Sequence, residues 1–414
     1  MGKHHDPGFK GIQYLSQGKQ MKTATVTWTT YNNYGTLLQA YALQQKLLQL
    51  GHQNEILCDD KVLKAFHLHR KKAAPSGIQK PAVLTPTKYS ALRRAAHVLT
   101  SPAKAERVLL ARTNWERYER PYYDSQKACD RFRNEELNIY RDVDPEKLET
   151  LNERYDAFIA GSDQIWSVFE NIFNPYYYLD FATKRKIAYA PCMGTDQIPE
   201  VLEPELRELL ADYYALSARE DISAKRLSEL TGQRVEWVAD PTLLLTAKQW
   251  AESVRHVPVP VKKKYLLCYF LENRQWYFDQ AEFLAHKLHL RPVLIPNQWD
   301  YISSEYVLDG AIGPKEFVAL FQNADYVLTD SYHGSIFSML FKKSFQYLMR
   351  FEENDSNSQN IRLHSLFHYF DLDGVSISPE NQFTLPGNTD KAAIQGRIRR
   401  LRNDSIRYLE NSLA

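Results

Sequence analysis

The sequence predicts an α/β fold in two domains, each built on a parallel sheet, and three observations predict it. The 414-residue chain is longer than one hydrophobic core usually serves. Short runs of β-formers alternate with helical periodicity along two separate stretches. Between them lies a segment with Pro258, Pro260 and Lys262 to Lys264, the composition of a linker. Apolar residues make up 44% of the chain and aromatic residues 13%, enough for two cores. A net charge of +2 singles out neither nucleic acid nor membrane as a partner. Cys58, Cys129, Cys192 and Cys268 lie far apart with no C-x-x-C pair. That argues against a zinc site or a disulfide framework, and for a reducing compartment. We see no bilayer-spanning apolar run and no signal sequence, so the expected location is cytoplasmic.

Residues 1–20 are polar and aperiodic and are expected to be a leader or tag, with Met21 opening the first strand pattern. The N-terminal domain is placed at 21–255. Its first strand is read at 23–28, a turn at Asn32-Asn33-Tyr34-Gly35, a helix at 36–50 closed by Gly51, and a second strand at 55–58. The turn lacks dinucleotide-type G-x-G-x-x-G spacing. It is either a plain turn or a place where amide donors meet a sugar or phosphate. Residues 61–133 then carry seventeen Lys/Arg against five Asp/Glu, with helical patches at 89–99 and 103–118. We read a basic helical insertion, bounded at 61–145. Its charge is either a solvated face or a patch for anionic lipid headgroups or a pyrophosphate-linked substrate.

Alternation resumes with a helical pattern at 145–154 and a buried strand at 157–160 that ends in Gly161-Ser-Asp-Gln-Ile-Trp166. Further strands are read at 186–190, 214–217 and 235–238, with helices at 203–213 and 222–230. Residues 246–264 read as the linker. The C-terminal domain, 256–390, has strands at 265–270, 292–295, 326–329 and 344–350 and helices at 275–289, 315–323 and 362–370. A last helix, in 391–414, is placed to pack back across both domains.

In open α/β sheets ligands bind outside the carboxyl ends of the strands. Asp163, Arg219, Glu220, Asp330, Ser331 and His333 all fall there. Facing edges would make a cleft with an arginine for an anion, a histidine for proton transfer and a carboxylate as partner or base. The bland reading of His333 is a residue capping or packing against its helix start. No set of residues has metal-ligand spacing: His364 and His368 lack the glutamate of H-E-x-x-H, and Ser162 is not in a G-x-S-x-G elbow.

Gly161 to Trp166, Ser217-Ala-Arg-Glu220, the Asn33-Tyr-Gly-Thr36 turn and Asp330-Ser-Tyr-His-Gly-Ser-Ile-Phe-Ser338 together resemble the polysaccharide pyruvyl transferase family, over about 21–372. The resemblance implies two Rossmann-like domains around a cleft, a glycosyltransferase-B-like architecture. It implies phosphoenolpyruvate as donor, no further cofactor, and a saccharide acceptor on a cell-surface polysaccharide or its lipid-linked precursor, modified to a pyruvate ketal. Carried over by motif, His333 is the acid/base and Arg219 binds the donor's carboxylate or phosphate. Asp163 orients the acceptor or serves as a second base. Ser331, Tyr332, Gly334, Arg362, Asn33, Gly35, Ser162 and Gln164 join them as expected substrate-binding residues.

Many family members have an arginine two residues before the histidine, where this chain has Ser331. Either Arg362, Lys342 or Lys343 substitutes, or the donor is held differently, or activity is lost. Two other functions stay open: a nucleotide-sugar-dependent glycosyltransferase on the same architecture, and a non-catalytic glycan-binding relative. The expected location extends to the inner face of the membrane, with peripheral contact through the basic insertion.

Overall fold

The computed structural model describes residues 20–73, 115–167, 173–195, 198–298, 306–350, 361–385, 387 and 389–414. The expected leader, the helical patch at 89–99 and most of that at 103–118 lie outside the described residues.

The first half opens with β1 (Lys22–Val26), α1 (Tyr34–Gln49), β2 (Gln53–Leu57), α2 (Asp60–Ala73) and α3 (Trp115–Glu136). It continues through β3 (Ile139–Tyr140), β4 (Ala157–Ala160), β5 (Arg185–Ala188), α4 (Glu203–Leu210), β6 (Leu216–Ala218), α5 (Asp221–Thr231) and β7 (Val235–Trp237). Five of these strands form a parallel sheet in the order β3-β2-β1-β4-β5. A parallel bridge from Ile187 to Ala215 leads on to the β6-β7 pair. The order reverses direction between β1 and β4, the switch point of a doubly wound sheet.

After α6 (Ala247–Ser253), the second half comprises β8 (Tyr265–Tyr269), α7 (Gln275–Leu288), β9 (Arg291–Leu294), α8 (Pro314–Asn323), β10 (Tyr326–Thr329), α9 (Tyr332–Leu340) and β11 (Ser344–Leu348). It closes with α10 (Ile361–Phe370), β12 (Ser376–Ile377) and α11 (Lys391–Leu413). Its parallel sheet runs β12-β11-β10-β8-β9, with the switch point between β8 and β10. The architecture is α/β with two Rossmann-like halves. β8 and β10 are buried along their whole length, as expected of strands covered on both faces.

Local chemistry explains the two helices that matter most. Asn33 caps α1, its side chain accepting from Thr36 N, and Ser331 caps α9 by accepting from Gly334 N. All nine residues of α9 are buried. α1 is buried on nearly every side because it lies between the halves. Its Tyr34, Leu37 and Leu38 share a core with Phe132, Trp250, Phe317 and Phe337. Tyr34 stacks on Phe317 at 4.9 Å and donates its hydroxyl to Ile312 O at 2.9 Å. Parting the halves would expose these rings at about 1.5–3 kcal/mol each. Packing, rather than a loose hinge, therefore sets the site between them.

Several expectations need correction. The segment 246–264 is not all linker: Thr246 and Gln249 form a capping box that starts α6. Its Trp250 wedges between Tyr41 and Phe337. Prolines and lysines downstream masked that signal. The insertion bounded at 61–145 is not separate from the sheet, since β3 is its edge strand, and Cys129 and Phe132 of α3 enter the shared core. The helical pattern at 145–154 is a 3-10 turn, Leu148–Glu153. α11 does cross both halves: Ile394, Ile398 and Leu401 join the shared core, and Leu409 and Leu413 pack with Ile159 and Ile187. Among the described residues, no helix is long and apolar enough to cross a membrane.

Candidate active site

Both switch points face each other, and the polar residues at the strand ends meet there. Gly35 and Thr36 follow β1, Asp163 follows β4, Arg219 and Glu220 follow β6, Asp240 follows β7, and Ser331 to Gly334 follow β10. Asp240 is the residue that sequence reading passed over.

The centre is a buried ion network. Arg219 Nη1 lies 3.1 Å from Asp240 Oδ2 and 3.7 Å from Asp163 Oδ1, and its Nε lies 3.2 Å from Glu220 Oε1. His333 Nε2 is 3.3 Å from the same Asp240 Oδ2, within ion-pair range but off the line of a straight hydrogen bond. Thr242 donates its hydroxyl to Asp240 Oδ1 at 2.6 Å and its amide to the same oxygen at 2.9 Å. The guanidinium and the imidazole, distant in sequence, thus share one carboxylate. Burial alone would raise the Asp240 pKa, but His333 and Arg219 outweigh it and hold the carboxyl well below the usual range. With its folded pKa depressed, its contribution to stability is present above about pH 3.8 and lost only as pH falls below that. Removing one partner of such a buried pair costs about 3–5 kcal/mol, because the other charge is stranded.

Arg219 also lies over the Tyr332 ring, 4.6 Å from its centroid, and Arg362 lies 6.0 Å from the same centroid. These three residues and Asp240 line a small pocket with Trp237 and Ser365. Burial, with Arg219 and Arg350 nearby, weakens the hold of Arg362 on its proton, although Cys192 and Glu220 oppose this. Among the described residues, Arg219 Nη2, Glu220 Oε2 and Gln164 Nε2 are buried without a hydrogen-bond partner. The network therefore has donors and an acceptor in reserve.

The remaining expected site residues have structural employment. Asp163 accepts from Thr36 Oγ1 at 2.6 Å and from Gln164 N at 3.0 Å, which ties the β4 edge to the first turn of α1. Ser162 donates its hydroxyl to Ala190 O at 2.6 Å, and the side chains of Asn33 and Ser331 serve as helix caps. The Gly334 amide donates to Ser331 Oγ, and a Cβ there would meet Thr329 Oγ1 at 2.5 Å. Gly35 gives room for His333: a Cβ at 35 would lie 2.0 Å from Nδ1. Of the three cations considered beside Ser331, only Arg362 is in the site. Lys342 and Lys343 lie past the C-terminal end of α9, about 13 Å from its start at 1.5 Å per residue.

Asp330 lies below this layer. Its carboxylate accepts from Leu271 N at 2.6 Å and Glu272 N at 2.9 Å. Burial pushes its pKa up to about 7 despite Arg350 and those amides. A raised folded pKa gives stability that is full below about pH 3.8 and lost as pH rises through about 7. Over that window this group should lower stability by on the order of 1.4 kcal/mol per pH unit. Chemical denaturation across the window should show a shallower slope in Asp330→Asn than in the wild type. Equal slopes would show that Asp330 is ionised throughout.

Among the described residues, no group of His, Cys, Asp and Glu could hold a metal ion. A family model described as polysaccharide pyruvyl transferase matches residues 33–347, a span that includes every residue of the ion network. No curated protein matches the sequence. Solved structures similar to this chain include a UDP-GlcNAc 2-epimerase from Methanocaldococcus jannaschii, with 11% identity, 92% of each chain covered and a TM-score of 0.42. Another is the E. coli heptosyltransferase WaaC with ADP-2-deoxy-2-fluoro heptose, at 13% identity, 91% of this chain and 99% of that chain, TM-score 0.36. A third is a glycosyltransferase from Rickettsia africae, at 9% identity, 95% and 94%, TM-score 0.36.

Proposed function

The chain belongs to the polysaccharide pyruvyl transferase family, and from that premise we propose that it moves a pyruvyl group from phosphoenolpyruvate to two hydroxyls of a sugar. The acceptor is a cell-surface polysaccharide or its lipid-linked precursor, and the product is a pyruvate ketal. The observation that supports this reading most is the meeting of His333 and Arg219 on Asp240, between two facing switch points. His333, protonated, gives a proton to the methylene carbon of the donor. The neighbouring carbon becomes oxocarbenium-like, the first hydroxyl adds and returns a proton to His333, phosphate leaves, and the second hydroxyl adds in its place, its proton going to the departing phosphate. In this reading Arg219, through Nη2, and Arg362 hold the donor's anionic groups. Asp163 fixes the α1 turn on which the acceptor would rest. We place the reaction on the cytoplasmic side, at the inner face of the membrane when the acceptor is lipid-linked.

The test is incubation with phosphoenolpyruvate and a panel of glycan acceptors. Phosphate release together with a new ketal methyl signal in NMR is the expected result. One feature favours a second reading, a glycan-binding protein without turnover: three carboxylates already surround Arg219, and Ser331 is spent as a cap. Glycan binding with no phosphoenolpyruvate consumed would establish that reading. Thermal stabilisation by a nucleoside diphosphate, and not by phosphoenolpyruvate, would point instead to sugar transfer from a nucleotide donor.

A further inference from the structure

Asp240 is built firmly into the fold. Its side chain is fully buried. The loop that carries it is tied from three directions: Ala239 N donates to Ser405 Oγ of α11 at 2.8 Å, Tyr189 donates its hydroxyl to Ala239 O at 2.9 Å, and Trp250 Nε1 donates to Thr242 O at 2.9 Å. Arg402 of α11 adds bonds to Leu243 O and Leu245 O. Oδ1 is filled by Thr242, so only Oδ2 is left to face Arg219 and His333. On the other side of the imidazole, Nδ1 lies against Gly35 in the first turn of α1. The two ring nitrogens therefore have different surroundings: Nε2 faces a fixed anion, and Nδ1 faces a helix start. An acceptor beside one ring nitrogen selects the tautomer with the proton on that nitrogen. Catalytic hydrogen bonds that are poorly aligned without substrate commonly tighten in the bound complex.

We propose that Asp240 is the positioning residue of this site, holding the His333 imidazole from its Nε2 side so that the neutral ring carries its proton on Nε2. The kinetic half of the proposal rests on the acid/base role of His333 given above; the tautomer half does not. Asp240 touches neither donor nor acceptor in this scheme; it acts through His333 and, on the same oxygen, through Arg219.

Two measurements test it. Long-range proton–nitrogen NMR of the full chain, with His333 assigned by difference from His333→Gln, reads the tautomer directly. The wild type should show the neutral ring protonated on Nε2, and Asp240→Asn should lose that preference. In kinetics, Asp240→Asn should lower kcat by about 10²–10⁴-fold, the scale set by a misplaced proton on a catalytic imidazole. Should Asp240→Asn fail to fold, Thr242→Val keeps the carboxylate and removes one of its anchors. It should retain the Nε2 tautomer and lower kcat by about 10-fold. A wild-type imidazole protonated on Nδ1 overturns the proposal, as does an Asp240→Asn variant with both tautomer and kcat unaltered. A wild type that shows the Nε2 tautomer, loses it in Asp240→Asn, yet consumes no phosphoenolpyruvate supports the positioning role and removes the function proposed above.

Discussion

Replacing His333 by alanine should lower phosphate release from phosphoenolpyruvate by about 10²–10⁴-fold, the usual contribution of a positioned acid/base. The fall should be in kcat, because the imidazole is held by Asp240 and Gly35 rather than offered to the donor as an anion site. Stability should change far less. Asp240 keeps Arg219 on Oδ2 and Thr242 on Oδ1, so its charge is not stranded by the loss of the histidine. We expect about 1–3 kcal/mol of destabilisation, the range for deleting one buried side chain that makes few bonds. Turnover by the variant and the wild type with acceptor saturating, beside a urea melt of each, separates the two effects. If turnover stays within a few-fold while the protein is folded, His333 is a packing residue and the acid/base lies elsewhere.

Gly35→Ala should be nearly as damaging, for a steric reason. A Cβ at 35 would stand 2.0 Å from His333 Nδ1, 2.5 Å from Cγ and 2.7 Å from Cε1. Carbon and nitrogen cannot approach so closely, and the imidazole is the group that must yield. Overpacking of this kind costs about 1–3 kcal/mol. Alanine's better helix propensity returns at most about 1 kcal/mol, and less in a first turn, so the net loss of stability is small. The displacement matters more. Moving a catalytic group by about 1 Å can cost about 100-fold in rate, and here it also upsets the fit of Nε2 against Asp240. We expect kcat to fall by that order with the fold intact. A Gly35→Ala variant that melts like the wild type and turns over within two-fold would mean that the imidazole can move without consequence.

Much of this was legible from one chain. The Asp330 to Phe341 stretch announces a buried strand, a serine cap and an apolar helix, and the structure has β10, Ser331 and α9 there. Capping and burial are local, so residue type and spacing reveal them. Reading polar residues at strand ends also picked out Asp163, Arg219, Glu220 and His333, because the edge of a parallel sheet is where such residues gather. Segment 246–264 is different: a capping box stands at Thr246 and Gln249, but downstream prolines and lysines dominate the composition.

Asp240 could be seen only as the residue after a strand, just before a proline. Nothing local says that it faces His333, because the two are joined by neither periodicity nor spacing. Their meeting depends on α1, packed between both halves, and on α11, which pins the Asp240 loop from the far end of the chain. The sequence alone determined the two parallel sheets, the strand-end polar set and the family, since these follow from patterns a few residues long. Tertiary structure alone decided which carboxylate the guanidinium and the imidazole share, and that Gly35 is needed beside the ring. Those contacts are set by burial between elements far apart in the chain, where a shift of one ångström changes the partner.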